Sequence, residues 1–118
     1  IAGLQFSFPV IWTEMRRRGM TVPSLSHWMS ARVAQFGGLG GQKGRIAPGM
    51  DADFVIWDPD ARFSVQSSHV LHRHHLTPYE GAELYGRVQQ TWVRGRCVYE
   101  SGRFPVEPSG RQMKRSVT

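Results

Sequence analysis

Apolar residues recur at helical spacing through the first third of the chain and then give way to short β-type runs. In "SFPVIWTEMRRRG", Phe8, Trp12 and Met15 fall on one face of a helix. Ser7 is suited to cap its start, Pro9 to sit in its first turn, and Gly19 to end it. "TVPSLSHWMSARVAQFGG" predicts a second helix, with Thr21 as N-cap, Pro23 in the first turn and Gly37-Gly38 as the stop. Leu25, Trp28, Met29, Val33 and Phe36 form its apolar stripe, so this helix too is expected to pack against a partner. Two short helices of this kind cannot shield each other's stripes well.

Beyond "GGLGGQKG" the period changes. "DFVIW" predicts a strand bounded by Asp53 in front and Asp58-Pro59 behind, and "RFSV" a second short strand. "SSHVLHRHHLTPYEGAELYG" has no clean period and is expected to be a long connection turning at Pro78. "RVQQTWVRGRCVYESGRF" predicts a hairpin turning at Arg94-Gly95 or Gly95-Arg96, with a further turn at Ser101-Gly102. The tail from Val106 is expected to be irregular. Helices followed by strands suggest an α+β chain or adjoining pieces of two domains.

The 118 residues, 40% apolar and 20% charged with four tryptophans and six phenylalanines, can build a core. A net charge of +6 raises the question of nucleic acid. The arginines are scattered, however, and the one run, Arg16-Arg17-Arg18, precedes Gly19, where cations complement a helix C-terminus. No nucleic-acid partner is expected. Nor is a membrane partner, since "IAGLQFSFPVIW" falls short of the roughly 20 apolar residues a span needs. The lone Cys97 excludes an internal disulfide and is expected to be a buried structural thiol. The chain begins at Ile1 with no visible signal peptide, which suggests a processed product or a fragment.

Two clusters could carry chemistry. Asp51, Asp53 and Asp58 flank a strand, where aspartates commonly bond nearby backbone amides, so a role in shaping turns is preferred over catalysis. His69, His72, His74 and His75 crowd together, and His72-Arg73-His74 has the spacing that puts two imidazoles on one face of a strand. No apolar strand leads into that pair and Pro78 soon turns the chain, so a loop with incidental histidines is preferred over a metal site. His27 stands alone within a helix. The glycine-rich "GGLGGQKG" lacks the Gly-Lys-Ser/Thr ending of a phosphate loop and leads into a strand.

Taken together, "IAGLQ" (Ile1–Gln5), "RGM" (Arg18–Met20), "KGRIAPGMDADFVIWDP" (Lys43–Pro59), "LTPYEG" (Leu76–Gly81) and "VRGRCVYESGRF" (Val93–Phe104) resemble the C-terminal part of allantoinases. These are cyclic amidohydrolases, with hydantoinases, dihydropyrimidinases and dihydroorotases. The long central motif marks the superfamily, whereas "IAGLQ" and the "TPYEG" segment tilt the choice toward allantoinase. Arg32 departs from the pattern, which more often has asparagine or a small polar residue there.

The resemblance implies an α+β fragment: the last helices of a metal-dependent (β/α)8 TIM barrel, then the C-terminal strands of a small β-sandwich. Residues 1–47 would end the barrel, 48–105 would belong to the sandwich and 106–118 would form the tail. It implies opening of the hydantoin ring of allantoin to allantoate, with a hydantoinase or dihydropyrimidinase activity as alternative. A non-catalytic remnant with only a structural or oligomerisation role is the reading from another class. The family's cofactor is a two-metal centre, usually zinc, bridged by a carboxylated lysine and held by a His-x-His pair near the N-terminus, two further histidines and a late aspartate. None of these ligands maps onto this chain, including the pair at His72 and His74, so no catalytic or metal residue is assigned and the isolated chain is expected to be inactive.

What the resemblance does place here is the loop that closes over the bound ring, with Ile1, Ala2 and Gly3 as substrate-loop candidates. Glycine at position 3 would let the backbone approach the substrate closely. A homo-oligomer acting on a small molecule, in the cytosol or the peroxisome, completes what the family implies. The terminal Ser116-Val117-Thr118 is not a peroxisomal address.

Overall fold

The computed structural model describes residues 3–115. A 3-10 turn, Leu4–Phe6, leads into α1 (Ser7–Arg17). Then α2 (Val22–Ser26) continues through a π-helical stretch, His27–Ala31, into α3 (Arg32–Phe36). The strands are β1 (Phe54–Ser64), β2 (Glu83–Val93) and β3 (Arg96–Glu100), in one sheet of order β1-β2-β3. The chain divides into two units. One takes the chain up to Met20 with Trp57–Arg87, and the other takes Thr21–Ile56 with the chain from Val88 onward.

In the first unit, Gly19 stops α1 as the sequence predicts. Its φ is +71°, its N–H donates to the Arg16 carbonyl at 3.0 Å, and the Met20 N–H reaches the Met15 carbonyl at 2.9 Å. That pair of bonds is the Schellman motif, which a left-handed glycine makes possible. Ser7 does not cap the helix, because the preceding turn already continues into it, and its hydroxyl donates back to the Leu4 carbonyl at 3.0 Å instead. The predicted apolar face is inside: Trp12 and Met15 are buried, and Trp57 meets Phe8 and Trp12 edge-on with centroids 4.8 and 5.3 Å apart. Phe6, Val65, Val70 and Leu84 form the adjoining core, with Val10, Phe63, Tyr79 and Ala82 packed on it.

Two predicted boundaries fail in this unit. Asp58-Pro59-Asp60 does not end a strand, and "DFVIW" and "RFSV" belong to one continuous β1. Among the described residues β1 is the outer strand of the sheet, the position in which a proline such as Pro59 is tolerated. Its carbonyl accepts from the Trp12 indole at 2.9 Å, and the Asp60 N–H donates to Asp58 Oδ1 at 2.9 Å within the strand. The long connection also stops short of Gly86, since β2 begins at Glu83. Leu84 and Gly86 point inward there, an alternation the small glycine conceals in the sequence.

The arginine run is consumed locally. Arg16 bonds Asp60 at 2.5 Å and lies 4.4 Å from the centre of the Tyr85 ring, while Arg17 and Arg18 each reach Glu14 at 2.6 Å. Arg17 first and Arg18 second hold the Glu14 carboxyl down at about 2.

In the second unit, Thr21 caps α2, its hydroxyl accepting from the Ser24 N–H at 3.4 Å. Gly38 ends α3 with φ +74°, and the Leu39 N–H returns to the Ala34 carbonyl at 2.8 Å, a second Schellman stop. The predicted stripe is not a buried face. Leu25 is buried, but Trp28, Val33 and Phe36 are 53%, 60% and 92% exposed. The π-helical stretch His27–Ala31 interrupts the regular α-helical turn midway along this helix, and within this chain Trp28, Val33 and Phe36 are left uncovered.

β2 and β3 form the expected antiparallel hairpin. Arg94 and Gly95 take φ of +48° and +75°, the pattern of a type I′ turn, and Ser101-Gly102 repeats it at +45° and +86°. Pairing shifts between Thr91↔Tyr99 and Trp92↔Cys97, leaving Val98 as a bulge. Cys97 lies in β3 but is half-buried rather than buried, and its Sγ donates to the Tyr99 carbonyl at 3.3 Å. From Val106 to Arg115 there is no regular structure, as expected.

Candidate functional site

Two of the three aspartates, Asp51 and Asp53, converge on one lysine. Lys43 Nζ bonds Asp51 Oδ2 at 2.8 Å and also bonds Asp53. Gln42 adds a bond to Asp51 at 3.0 Å, and Asp53 Oδ1 accepts from the Arg94 N–H at 2.8 Å. Next to it the Gly95 N–H donates to the Ala52 carbonyl at 3.0 Å. The cluster therefore fastens the loop from Gln42 to the start of β1 onto the hairpin turn. Lys43 is pushed above the usual lysine range by its bonds to Asp51 and Asp53, and its bond holds Asp51 below the usual carboxylate range. A carboxylate so engaged is a poor general base. The expected bond to a nearby backbone amide is made by Asp58, to Asp60, whereas Asp51 and Asp53 serve this longer-range tie.

The histidines do not converge. His69 contributes its backbone carbonyl, His74 and His75 are exposed, and the Nε2 of the half-buried His72 is enclosed with no hydrogen-bond partner among the described residues. Among the described residues, no group of three or more His, Cys, Asp or Glu side chains could hold a metal ion. The donor set here does not fit the family's two-metal centre.

Of the substrate-loop candidates, Ile1 and Ala2 lie outside the described residues. Gly3 rests against Tyr79: a Cβ on Gly3 would sit 3.2 Å from Tyr79 Cε2 and 3.7 Å from its hydroxyl oxygen. Two residues on, the Gln5 side chain clasps the backbone of the connection. Its Nε2 donates to the His69 carbonyl and its Oε1 accepts from the Leu71 N–H, both at 2.8 Å. Phe6 then enters the core. Gly3 thus meets the "LTPYEG" segment at Tyr79, with Gln5 and Phe6 anchored beside it.

Tyr79 and Gln5 escape sequence reasoning because their partners lie more than sixty positions away. The available signal was indirect, since both stand in the two segments that tilt the resemblance toward allantoinase.

An Amidohydrolase family profile matches residues 12–99, and the chain belongs to that family. It is 47% identical to the allantoinase of Streptomyces avermitilis over 98% of its own length and 25% of that protein's. To the allantoinase of Escherichia coli it is 40% identical over 94% of the chain and 25% of the relative. The solved structure of L-hydantoinase (dihydropyrimidinase) from Arthrobacter aurescens superposes with a TM-score of 0.82 and 33% identity, covering 89% of this chain and 24% of that one. The chain spans about a quarter of the length of the curated relatives it matches.

Proposed function

We propose that this chain forms the C-terminal portion of an allantoinase, a metal-dependent cyclic amidohydrolase that opens the hydantoin ring of allantoin to allantoate. The observation that carries this reading is the 47% identity to an allantoinase along almost the whole chain. Under it, residues 1–47 complete a (β/α)8 barrel, 48–105 belong to a β-sandwich, and 106–118 form the tail. Ile1, Ala2 and Gly3 belong to the loop over the substrate ring.

The two-zinc centre with its carboxylated lysine would be held by residues outside this chain. Asp51 and Asp53 are committed to Lys43, and the described histidines do not converge. When bound, such a centre supplies an activated hydroxide and polarises the carbonyl. This chain's part is to shape the wall behind the substrate loop and to brace the sheet. Assembly into a homo-oligomer accompanies the reading, and the size of the native protein tests it.

The deciding experiment takes the full-length protein containing this chain, loaded with zinc, and offers allantoin, hydantoin and dihydrouracil side by side. Allantoate formation with preference for allantoin is expected, while residues 1–118 alone remain inactive. Preference for either other ring would move the assignment to a hydantoinase or dihydropyrimidinase. A full-length protein that opens none of the rings would support the remnant.

A further inference from the structure

We infer that Tyr79 is a positioning residue for the segment that begins at Gly3, with Gln5 as a second anchor. The inference rests on the allantoinase reading, in which that segment continues the substrate loop.

The backbone at Gly3 has φ −130° and ψ 1°, outside the left-handed region that favours glycine. Glycine is therefore not required there by its torsion angles. What a side chain would meet is Tyr79, whose ring edge, 3.2 Å from where a Cβ would sit, would have to give by a few tenths of an ångström. The edge carbon Cε2, rather than the hydroxyl, makes the closest approach.

The ring is itself held. The Tyr79 N–H donates to Thr77 Oγ1 at 3.3 Å and its carbonyl accepts from the Ala82 N–H at 2.9 Å. The ring packs on the core cluster of Phe6, Val65, Val70 and Leu84. On the other side of the segment, the two Gln5 amide bonds imitate a step of strand pairing with His69 and Leu71.

Residues 3 to 6 are thus fixed at three successive points: Gly3 at the ring, Gln5 at the connection and Phe6 in the core. Backbone groups that must meet a small rigid substrate gain from such support, since a displacement of about 1 Å can cost on the order of 100-fold in rate.

The test is a double-mutant cycle in the full-length zinc-loaded protein, with kinetics on allantoin. Tyr79→Leu removes the ring but keeps apolar volume, and Gly3→Ala crowds it. Each single change is expected to lower kcat/KM roughly tenfold, mainly through KM. Tyr79→Phe should restore what Tyr79→Leu loses, and the double variant should cost no more than the worse single one. Multiplying costs, or a Tyr79→Phe as damaged as Tyr79→Leu, would overturn the inference while leaving the allantoinase reading intact.

If the unmutated protein leaves allantoin closed, that reading fails, and hydrogen exchange at the Phe6 amide, bonded to the Gly3 carbonyl at 3.1 Å, decides the anchoring alone. Exchange about tenfold faster in Tyr79→Leu but not in Tyr79→Phe supports it. Unchanged protection overturns it.

Discussion

The indole of Trp12 occupies the space that a side chain at Gly86 would need. A Cβ there would lie 2.9 Å from Trp12 Cδ1 and 3.2 Å from Trp57 Cζ3, and Gly86 also holds φ at +95°. The helix face predicted from Phe8, Trp12 and Met15 is seated on β2 through this missing side chain. Gly86→Ala therefore combines left-handed strain with overpacking. It should cost roughly 2–5 kcal/mol, read as a lowered thermal midpoint of the full-length protein. An alanine variant as stable as the parent would show that the indoles can move aside.

Thr13 ties the same helix to the same strand. Its hydroxyl accepts from the Tyr85 N–H at 2.8 Å and donates to the Pro9 carbonyl at 2.7 Å. Thr13→Val keeps the shape and orphans the half-buried amide, so it should cost about 1–3 kcal/mol in urea unfolding. Thr13→Ser should restore most of that loss. Equal stability of the valine and serine variants would mean that water replaces the hydroxyl.

How much of this was legible depends on the range of the forces involved. Helix stops at Gly19 and Gly38, the cap at Thr21 and the turns at Arg94-Gly95 and Ser101-Gly102 follow from local stereochemistry, and all five stand where the sequence puts them. Pro59 misled because its neighbours in sequence spell a turn, whereas its tolerance comes from an edge position and a tryptophan donor 47 residues away. The stripe on the second helix is legible as periodicity, but periodicity does not say what covers it: within this chain Leu25 is buried while Trp28, Val33 and Phe36 are exposed. At the candidate site, Gly3 could be named by resemblance, but its partner Tyr79 could not. Nothing in local pattern links positions so far apart.

The His-x-His spacing at His72 and His74 makes a separate test. Since His74 is exposed and no third donor joins the pair among the described residues, the double change His72→Ala, His74→Ala should leave the zinc content per chain unchanged. Elemental analysis of the purified full-length protein decides it. Loss of one metal equivalent would restore the pair as ligands.

The hairpin turn offers a gain. Arg94 sits at φ +48°, a conformation that costs an ordinary L-residue about 1–2 kcal/mol and that asparagine adopts more readily. Arg94→Asn keeps the backbone N–H that Asp53 accepts, but gives up the guanidinium bond to the Ser109 carbonyl at 2.8 Å. That bond is exposed and tethers only the irregular tail. A net stabilisation of roughly 0.5–1 kcal/mol is expected, seen as a raised thermal midpoint. A lowered midpoint would assign the tail a larger share in holding the hairpin.

The aspartates yield the pH prediction. Lys43 holds Asp51 below the usual carboxylate range, so the stabilisation is fully present above the unfolded value near 3.9 and is lost as pH falls through the lower folded value. Lys43 is raised, so its share is complete below about 10.4 and disappears only as pH climbs through its raised folded value. Between about pH 5 and 9 neither group changes charge. Lys43→Met removes the tie and leaves Asp53 its bond from the Arg94 N–H. Thermal midpoints of the two full-length proteins should then differ by a constant gap from pH 5 to 9, narrowing below about pH 4 as Asp51 takes up its proton. A gap that instead changed between pH 6 and 7 would point to a histidine, and Lys43 would no longer account for the stability of this corner.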